Sequence, residues 1–297
     1  MTLSATPSDD TRARVGFIGL GAMGGPVAAR IAPHRDLLVF DRNPAAVARL
    51  TAHGARAASP EEIGAACDVV FISLPRTEDV WSVVRGPMGL AATLHPGAVV
   101  VDMTTGRPAD DVELERTLGT RDIGYADAPV SGGPQSAAAG TLAIFVGAAE
   151  ATLSRIRPVL DLISDRVLHV GQVGAGHTVK LVNNLMSACN RVATREAVAI
   201  AARSGVDLRA CIDAVNQSSG RSYITEWTYP RFLLDDEPAD QDFRLALMVK
   251  DVALALECAA SAGVVTCMGT LTHEIMSAGV SELGADADIN RLMTLSS

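Results

Sequence analysis

The first half of the chain alternates short apolar runs with runs of helical character. "RVGFIGL", "DVVFISLP" and "GAVVVDMTT" have no polar face, which is typical of strands buried on both sides. "LLVFDRN", "GYADAPV" and "TLAIFVGA" also have strand character, while "PVAARIAPH" and "PAAVARLTAHG" look helical. The alternation predicts an α/β domain in which helices cover both faces of a parallel sheet.

The second half of the chain has a different character. From about Gly174 the strand signal disappears, and a helical pattern of nearly thirty residues runs to Gly205. Shorter helical runs follow it, and the linker-like "GQVGAG" precedes it. We therefore predict a disordered tail over residues 1–14, a dinucleotide-binding domain over 15–174 and an all-helical domain over 175–297.

The composition of the chain argues against some binding partners and some cellular locations. The 297 residues suffice for two domains. The net charge of −9 argues against a nucleic-acid partner or an anionic membrane surface. No apolar stretch approaches the roughly 18 residues of a membrane span, and the N-terminus lacks the apolar core of a secretory signal. The five cysteines form no Cys-x-x-Cys pair, so we expect a cytoplasmic protein without a metal site.

A glycine motif follows the first strand-like run. The motif G-x-G-x-x-G opens a helix-like run, and Asp41 ends the next strand about twenty residues later. In that context the glycines allow a tight turn and a close approach to a pyrophosphate at the helix N-terminus. A strand-to-helix turn without a ligand is the alternative. The predicted cofactor contacts in this loop are Gly19, Gly21, Ala22, Met23 and Gly24.

Asp41 also predicts which dinucleotide is preferred. Its carboxylate can accept hydrogen bonds from both ribose hydroxyls of NAD, and its charge opposes the additional phosphate of NADP. The adjacent Arg42 is a cation that would soften this preference. We therefore predict NAD as the cofactor, with NADP possible.

Three further segments carry groups suited to chemistry. Ser131, Gly132 and Gly133 place a hydroxyl beside two unshielded backbone amides, which suits a carboxylate, although "SGG" is also a common turn. Lys180 and Asn184 are four residues apart and share one helix face. They would bind an oxygen and move its proton, unless the lysine faces solvent.

Lys250 lies in the otherwise apolar run "FRLALMVKD". Two interpretations stay open from this feature alone. The side chain reaches a pocket or an aspartate partner, or it extends along apolar surface to bring its charge into water.

The order of these segments resembles the β-hydroxyacid dehydrogenase family, which includes 3-hydroxyisobutyrate dehydrogenase and tartronate semialdehyde reductase. The matching pieces are "GFIGLGAMGGPVA", "DAPVSGG", "GAGHTVKLVNN" and "KD", and they extend from Val15 to Asp251. The resemblance implies a Rossmann-type N-terminal domain and an all-helical C-terminal domain joined by a long helix. It also implies exchange of a hydride between a nicotinamide and a small hydroxy acid.

The resemblance assigns roles by position. Lys180 matches the catalytic lysine of the family and Asn184 its amide partner, while Ser131 to Gly133 match the loop that binds the substrate carboxylate. The remaining matches are to residues that contact the dinucleotide in relatives, namely Leu74, Pro75, Thr105 and Lys250.

Two positions differ from related branches of the family and argue against membership in those branches. Asn183 stands where the 6-phosphogluconate branch typically has a histidine, and Lys180 argues against imine reductases, which usually lack it. "SSGRSY" resembles 3-hydroxyisobutyrate dehydrogenases, whereas the following "ITEWTYPRFLLDDEP" matches no substrate pattern.

Together these features predict an NAD-dependent oxidoreductase of a small 3-hydroxy acid and its semialdehyde. The alternatives are reduction of tartronate semialdehyde, glyoxylate or succinic semialdehyde, and a non-catalytic dinucleotide-binding protein. The apolar surface of the later helices predicts a homodimer or homotetramer. The sequence leaves the particular acid and the physiological direction open.

Overall fold

The computed structural model describes residues 13–86, 89–235 and 243–294. Residues 1–12 of the predicted tail lie outside these ranges. Arg14, placed in that tail by the sequence, is bound into the fold: its backbone N–H donates to Asp68 (2.8 Å), and its guanidinium pairs with Asp36 (3.1 Å). Contacts divide the chain into two units, which meet in sequence at Gly176 and His177.

The first unit is built on one sheet. Its order is β3-β2-β1-β4-β5-β6-β8-β7, with β9 also paired to β8. The strands found in the described ranges are β1 (Val15–Ile18), β2 (Leu37–Phe40), β3 (Arg56–Ala57), β4 (Val69–Ile72), β5 (Val99–Asp102), β6 (Gly124–Asp127), β7 (Val130–Ser131), β8 (Ala143–Gly147) and β9 (Arg166–Gly171).

The predicted parallel sheet is right for most strands and wrong for the last ones. Strands β3, β2, β1, β4, β5 and β6 run parallel to one another, but β8 is antiparallel to both β6 and β7. A parallel connection needs a crossover of about a dozen residues or more. Only the short helix Gly133–Ala139 lies between β7 and β8, so the chain turns back and pairs antiparallel.

Helices cover both faces of this sheet. Val69 and Phe71 belong to one buried cluster, and Val70 and Ile72 to another, as the two-residue period of a strand requires. The predicted fold class, an α/β domain with a helical domain after it, is therefore confirmed. The helices of the first unit are α1 (Gly24–Ile31), α2 (Pro44–Thr51), α3 (Pro60–Ala66), α4 (Thr77–Arg85), α5 (Leu90–Thr93), α6 (Pro108–Gly119), α7 (Gly133–Ala139) and α8 (Glu150–Ile163).

The second unit is helical wherever the structure describes it with regular elements. Its α-helices are α9 (Ala175–Arg203), whose first two residues belong to the first unit, α10 (Leu208–Asn216), α11 (Leu245–Ser261) and α12 (Cys267–Leu283), and a 3₁₀ segment covers Ile289–Thr294. Two π-helical segments, Ile224–Thr228 and Pro230–Leu234, were not predicted. No helix in the described ranges has the length and apolarity that crossing a membrane requires.

Candidate active site

The predicted cofactor residues of the first unit lie at one edge of the sheet. The glycine loop follows β1, Asp41 follows β2, Leu74 and Pro75 follow β4, and Thr105 follows β5. These four strands are parallel neighbours in the order β2-β1-β4-β5, so all four loops leave the sheet at its carboxyl edge. The chain order reverses between β1 and β4, which is where open α/β sheets bind dinucleotides.

The glycine loop has a shape that fits a pyrophosphate. Gly19 has a φ of +95°, and a Cβ there would lie 2.1 Å from the carbonyl oxygen of Ser73. A Cβ on Gly24 would lie 2.0 Å from the Gly19 oxygen. A Cβ on Gly21, in contrast, would meet nothing within 4 Å. The fold itself therefore does not require glycine at 21, whereas close approach of a phosphate to the backbone does.

Asp41 is tied to this loop by its carboxylate. Oδ2 accepts a hydrogen bond from the Leu20 N–H at 2.6 Å, and Oδ1 accepts one from the Asn43 N–H at 2.7 Å. A carboxylate has about four acceptor positions, so two remain for ribose hydroxyls. Arg42 is exposed beside it. Helix α1, which follows the loop, has no side-chain cap. The Gly25 N–H already donates to the Gly21 carbonyl at 3.0 Å and Pro26 has no N–H, so a phosphate would be bound by N–H groups that precede Gly25.

The loops after β4 and β5 are joined by buried polar groups. The Leu74 N–H donates to Thr104 Oγ1 at 3.1 Å, and the Thr104 N–H donates to Asp102 Oδ1 at 2.8 Å. The buried Tyr125 hydroxyl donates to Asp111 at 2.9 Å and lies 3.3 Å from Asp102. These bonds hold the backbone of Leu74 next to Thr104, and Thr105 is the residue that follows Thr104 in the chain.

The Ser-Gly-Gly loop begins at the same edge of the sheet. Strand β7 runs in the direction of β6, because both are antiparallel to β8, and Ser131 ends β7. Gly132 and Gly133 have φ values of +138° and +75°. A Cβ on Gly132 would lie 2.8 Å from Ser136, and one on Gly133 would meet open space. A half-buried hydroxyl and two unshielded amides thus follow one another at this point, as an oxyanion site requires.

Lys180 and Asn184 lie one turn apart on α9 in the second unit. Both are buried, with 8% and 4% of their surface exposed. Asn184 Nδ2 donates to Asp251 Oδ2 at 2.7 Å, and Asn184 Oδ1 accepts from Asn183 at 3.1 Å. The amide of Asn184 therefore has one orientation, which Asp251 determines from α11.

Lys250 has the aspartate partner that the sequence left open. Its Nζ lies 3.1 Å from Oδ1 of the adjacent Asp251, and 28% of its side chain is exposed. Because this ion pair uses Oδ1, the other carboxylate oxygen, Oδ2, is available to accept the hydrogen bond from Asn184. A cation, a carboxylate and an amide are therefore joined in one chain of contacts.

Lys180 has the electrostatic setting of a group that exchanges protons. Its ammonium has no hydrogen-bond partner among the residues that the structure describes. Burial lowers the pKa of Lys180, the charge of Asp251 opposes that shift, and the charge of Lys250 adds to it. A lysine with a lowered pKa releases its proton closer to neutral pH than a solvated one.

Comparison with known proteins identifies the family to which both units belong. Residues 14–171 match the family model of the NAD binding domain of 6-phosphogluconate dehydrogenase. Residues 174–296 match the model described as NAD-binding of NADP-dependent 3-hydroxyisobutyrate dehydrogenase. The chain belongs to the β-hydroxyacid dehydrogenase family. The predicted family and the predicted use of NAD are thereby confirmed.

Relatives within the β-hydroxyacid dehydrogenases match over nearly the whole chain. A 2-(hydroxymethyl)glutarate dehydrogenase of Eubacterium barkeri is 38% identical and covers 90% of this chain and 89% of its own. An NAD-dependent L-serine dehydrogenase of Pseudomonas aeruginosa is 32% identical over 95% and 97% of the two chains. The structure of a Mycobacterium tuberculosis 3-hydroxyisobutyrate dehydrogenase with L-serine superposes with a TM-score of 0.87, at 30% identity over 95% and 98% of the chains.

Asp251 is the residue to which sequence analysis assigned no role. It entered only as the second letter of the family motif "KD". Its signal was an acid in the apolar run that surrounds Lys250, and it is only 3% exposed in the structure. Its bond to Asn184 joins residues 67 positions apart, a distance that local sequence patterns do not report.

Cofactor preference in this β-hydroxyacid dehydrogenase is expected to depend on Asp41. Replacing it with serine removes the charge that opposes a 2′-phosphate, so the ratio of kcat/KM for NADP to that for NAD should rise about ten- to hundredfold. The matched control is Asp41→Asn, which loses the charge but keeps an acceptor for the Leu20 or Asn43 N–H. If the wild-type protein already uses NADP as well as NAD, Arg42 is the determinant instead.

Proposed function

We propose that this chain uses NAD to oxidise the primary alcohol of a small 3-hydroxy acid to its semialdehyde, and catalyses the reverse reduction. The observation that carries the proposal is Lys180, a buried lysine with a lowered pKa, beside an amide held in one orientation by Asp251. The relatives support the substrate class: 2-(hydroxymethyl)glutarate, 3-hydroxyisobutyrate and L-serine all carry a hydroxymethyl group next to the carbon that bears the carboxylate.

Each residue group would perform one part of the reaction. The Ser131 hydroxyl and the amides of Gly132 and Gly133 bind the substrate carboxylate, which fixes the orientation of the hydroxymethyl carbon. Neutral Lys180 accepts the hydroxyl proton, and Asn184 donates a hydrogen bond to the same oxygen or orients the lysine.

When bound, the nicotinamide would supply the hydride-transfer chemistry in both directions. The glycine loop would bind the pyrophosphate of the cofactor, and Asp41, Leu74, Pro75 and Thr105 would contact its other parts. In the reductive direction the protonated Lys180 returns the proton to the carbonyl oxygen. The two directions therefore use opposite protonation states of one side chain.

The test is a substrate panel followed by absorbance of the reduced cofactor. It contains 3-hydroxypropanoates with hydrogen, methyl, amino or carboxyethyl groups on carbon 2, and the methyl ester of each. We expect turnover of acids and weak turnover of esters, and Ser131→Ala should chiefly raise KM. Equal turnover of an acid and its ester would contradict carboxylate binding at this loop. NAD binding without turnover of any alcohol or aldehyde would favour the non-catalytic alternative.

The chain is also proposed to form a dimer through its helical unit. Val265 and Met268, near the start of α12, are 86% and 62% exposed, and Met186 on α9 is 61% exposed. The same three side chains line a groove of about 460 Å³, together with Leu185 and Cys189. A groove whose walls are exposed apolar side chains suits a twofold contact, in which the same patch of each copy covers that of the other.

Charge introduced into this patch should separate the copies. Val265→Asp is expected to give a monomer by light scattering at micromolar concentration, because an unpaired carboxylate would be buried in the contact. The matched control is Val206→Asp, which changes an exposed valine after α9 that does not line the groove. A wild-type protein that is already monomeric would contradict the proposal.

A further inference from the structure

The guanidinium group of Arg30 joins three helices of the first unit. Arg30 is half-buried near the end of α1, and its Nε donates to the carbonyl oxygens of Leu162 (3.2 Å) and Ile163 (3.0 Å), the last two residues of α8. Its Nη1 donates to the carbonyl oxygen of Ala138 at 3.3 Å, one residue before the end of α7. The last carbonyl groups of a helix lack partners within that helix and carry partial negative charge. One cation therefore stabilises two helix ends and links both to its own helix.

The same three helices are in close contact around this guanidinium. A Cβ on Gly140, the residue after α7, would lie 2.5 Å from Cζ of Arg30, so the guanidinium lies directly against the backbone there. Helix α1 packs against both α7 and α8. Ile31 of α1, Ala137 of α7 and Ile163 of α8 belong to one buried cluster. The three helix ends are thus packed together as well as hydrogen-bonded.

Helices α1 and α7 begin at the two loops to which we assign anions. Helix α1 begins at Gly24, the last glycine of the glycine loop, and α7 begins at Gly133, the last residue of the Ser-Gly-Gly loop. At 1.5 Å per residue, Arg30 lies about 9 Å along α1 from Gly24, and Ala138 about 8 Å along α7 from Gly133. Close-packed elements transmit displacements. A shift of the helix ends at Arg30 therefore reaches both loops.

We propose that Arg30 is a positioning residue that sets the distance between the Ser-Gly-Gly loop and the glycine loop. The inference rests on the proposed function, in which these loops bind the substrate carboxylate and the cofactor pyrophosphate. Reacting atoms must come within about 3–3.5 Å of each other, and a misplacement of about 1 Å can cost about a hundredfold in rate. Arg30 belongs to neither loop, so its loss should lower the rate of reaction more than the affinity for NAD.

The experiment compares Arg30→Met with a matched control, Arg121→Met, in the full-length enzyme. The guanidinium of Arg121, in the turn after α6, donates to the carbonyl oxygen of Ala91 in α5, and neither helix begins at one of the two loops. We expect Arg30→Met to lower kcat about ten- to hundredfold for the panel acid that is oxidised fastest, with the dissociation constant of NAD within about twofold of wild type. Arg121→Met should leave both values unchanged. An equal fall of kcat in the two variants would overturn the proposal.

Single-turnover kinetics separate positioning from loss of stability. A displaced loop lowers the rate constant for appearance of the reduced cofactor, whereas a partly unfolded population lowers only the amplitude. Arg30→Lys is the milder variant, because lysine keeps the charge but lacks the fork of donors that reaches two helix ends. It should lower the same rate constant about three- to tenfold. A wild-type rate constant in Arg30→Lys, or a loss of amplitude alone in Arg30→Met, would overturn the proposal.

Amide hydrogen exchange tests the role of Arg30 independently of turnover. Residues 130–136 should exchange faster in Arg30→Met than in the wild type, and at the wild-type rate in Arg121→Met, because only the first variant releases α7. If the wild-type protein oxidises no acid of the panel, the proposed function fails, and the exchange rate still decides whether Arg30 holds the Ser-Gly-Gly loop. Unchanged exchange over residues 130–136 in Arg30→Met would overturn the proposal at any level of activity.

Discussion

Lys180→Ala is expected to lower kcat for oxidation by roughly 10²–10⁴-fold, the usual contribution of a general acid–base group. Without Lys180, no buried amine is left to take the hydroxyl proton as hydride departs. The dissociation constant of NAD should stay near the wild-type value, because the glycine loop and Asp41 are untouched. Steady-state kinetics together with titration of NAD binding measure both quantities.

Lys180→Arg is the matched control for this variant. Arginine keeps the positive charge but does not release its proton in the working pH range. Oxidation should therefore fall about as far in the arginine variant as in the alanine variant, and added primary amines should partly restore only the latter. Near-normal kcat in either variant would contradict proton transfer by Lys180, whereas lost NAD binding would make the residue structural.

The direction of the pKa shift determines the pH profile of the wild-type enzyme. Oxidation needs neutral Lys180, so its rate should rise with pH through the lysine pKa and then level off. Reduction needs the protonated form, so its rate should fall over the same interval. Because burial lowers this pKa, both changes should occur below the pH at which a solvated lysine titrates.

Asp251→Asn is expected to shift this profile and to lower kcat. The charge of Asp251 raises the pKa of Lys180, so its removal should move the alkaline rise of oxidation to lower pH. Asparagine can still accept the bond from Asn184, and we expect kcat to fall about tenfold. Asp251→Ala removes charge and acceptor together, and we expect a loss of about a hundredfold, consistent with a hydrogen bond to a charged group.

The comparison of the two variants distinguishes positioning from general stability. A residue that only stabilises the fold would lower kcat without moving the pH profile. The profile should move in both variants, and the difference in kcat between them should measure the orientation of Asn184. An unchanged profile in Asp251→Asn would show that its charge does not act on Lys180.

Local patterns were sufficient to predict much of the fold. Strands β1, β4 and β5 are apolar on both faces and are covered by helices on both sides. Their apolar composition therefore correctly predicts that they lie in the buried centre of the sheet. The glycine loop and Asp41 could also be predicted from local patterns. Each follows a strand directly, and because β1 and β2 pair in the sheet, the ends of these strands lie next to each other. The roles assigned to the site residues stay predictions, and their geometry is compatible with them.

Other features depend on contacts that sequence spacing does not report. Strand β8 runs antiparallel because its connection from β7 is short. The apolar residues of β8 resemble those of a parallel strand, so its composition does not predict its direction. The bond between Asn184 and Asp251 joins two helices, so neither segment alone predicts it. The π-helical turns around Trp227 follow a helix-compatible sequence whose composition does not distinguish the wider turn.

The bond between Asp41 and the Leu20 N–H has a consequence for redesign of the enzyme. The carboxylate that is predicted to discriminate between cofactors is also hydrogen-bonded to the glycine loop. A single exchange at this position is therefore expected to change both the cofactor preference and the stiffness of the glycine loop. Changing the preference without loss of affinity would require a second substitution that supplies a new acceptor for that amide.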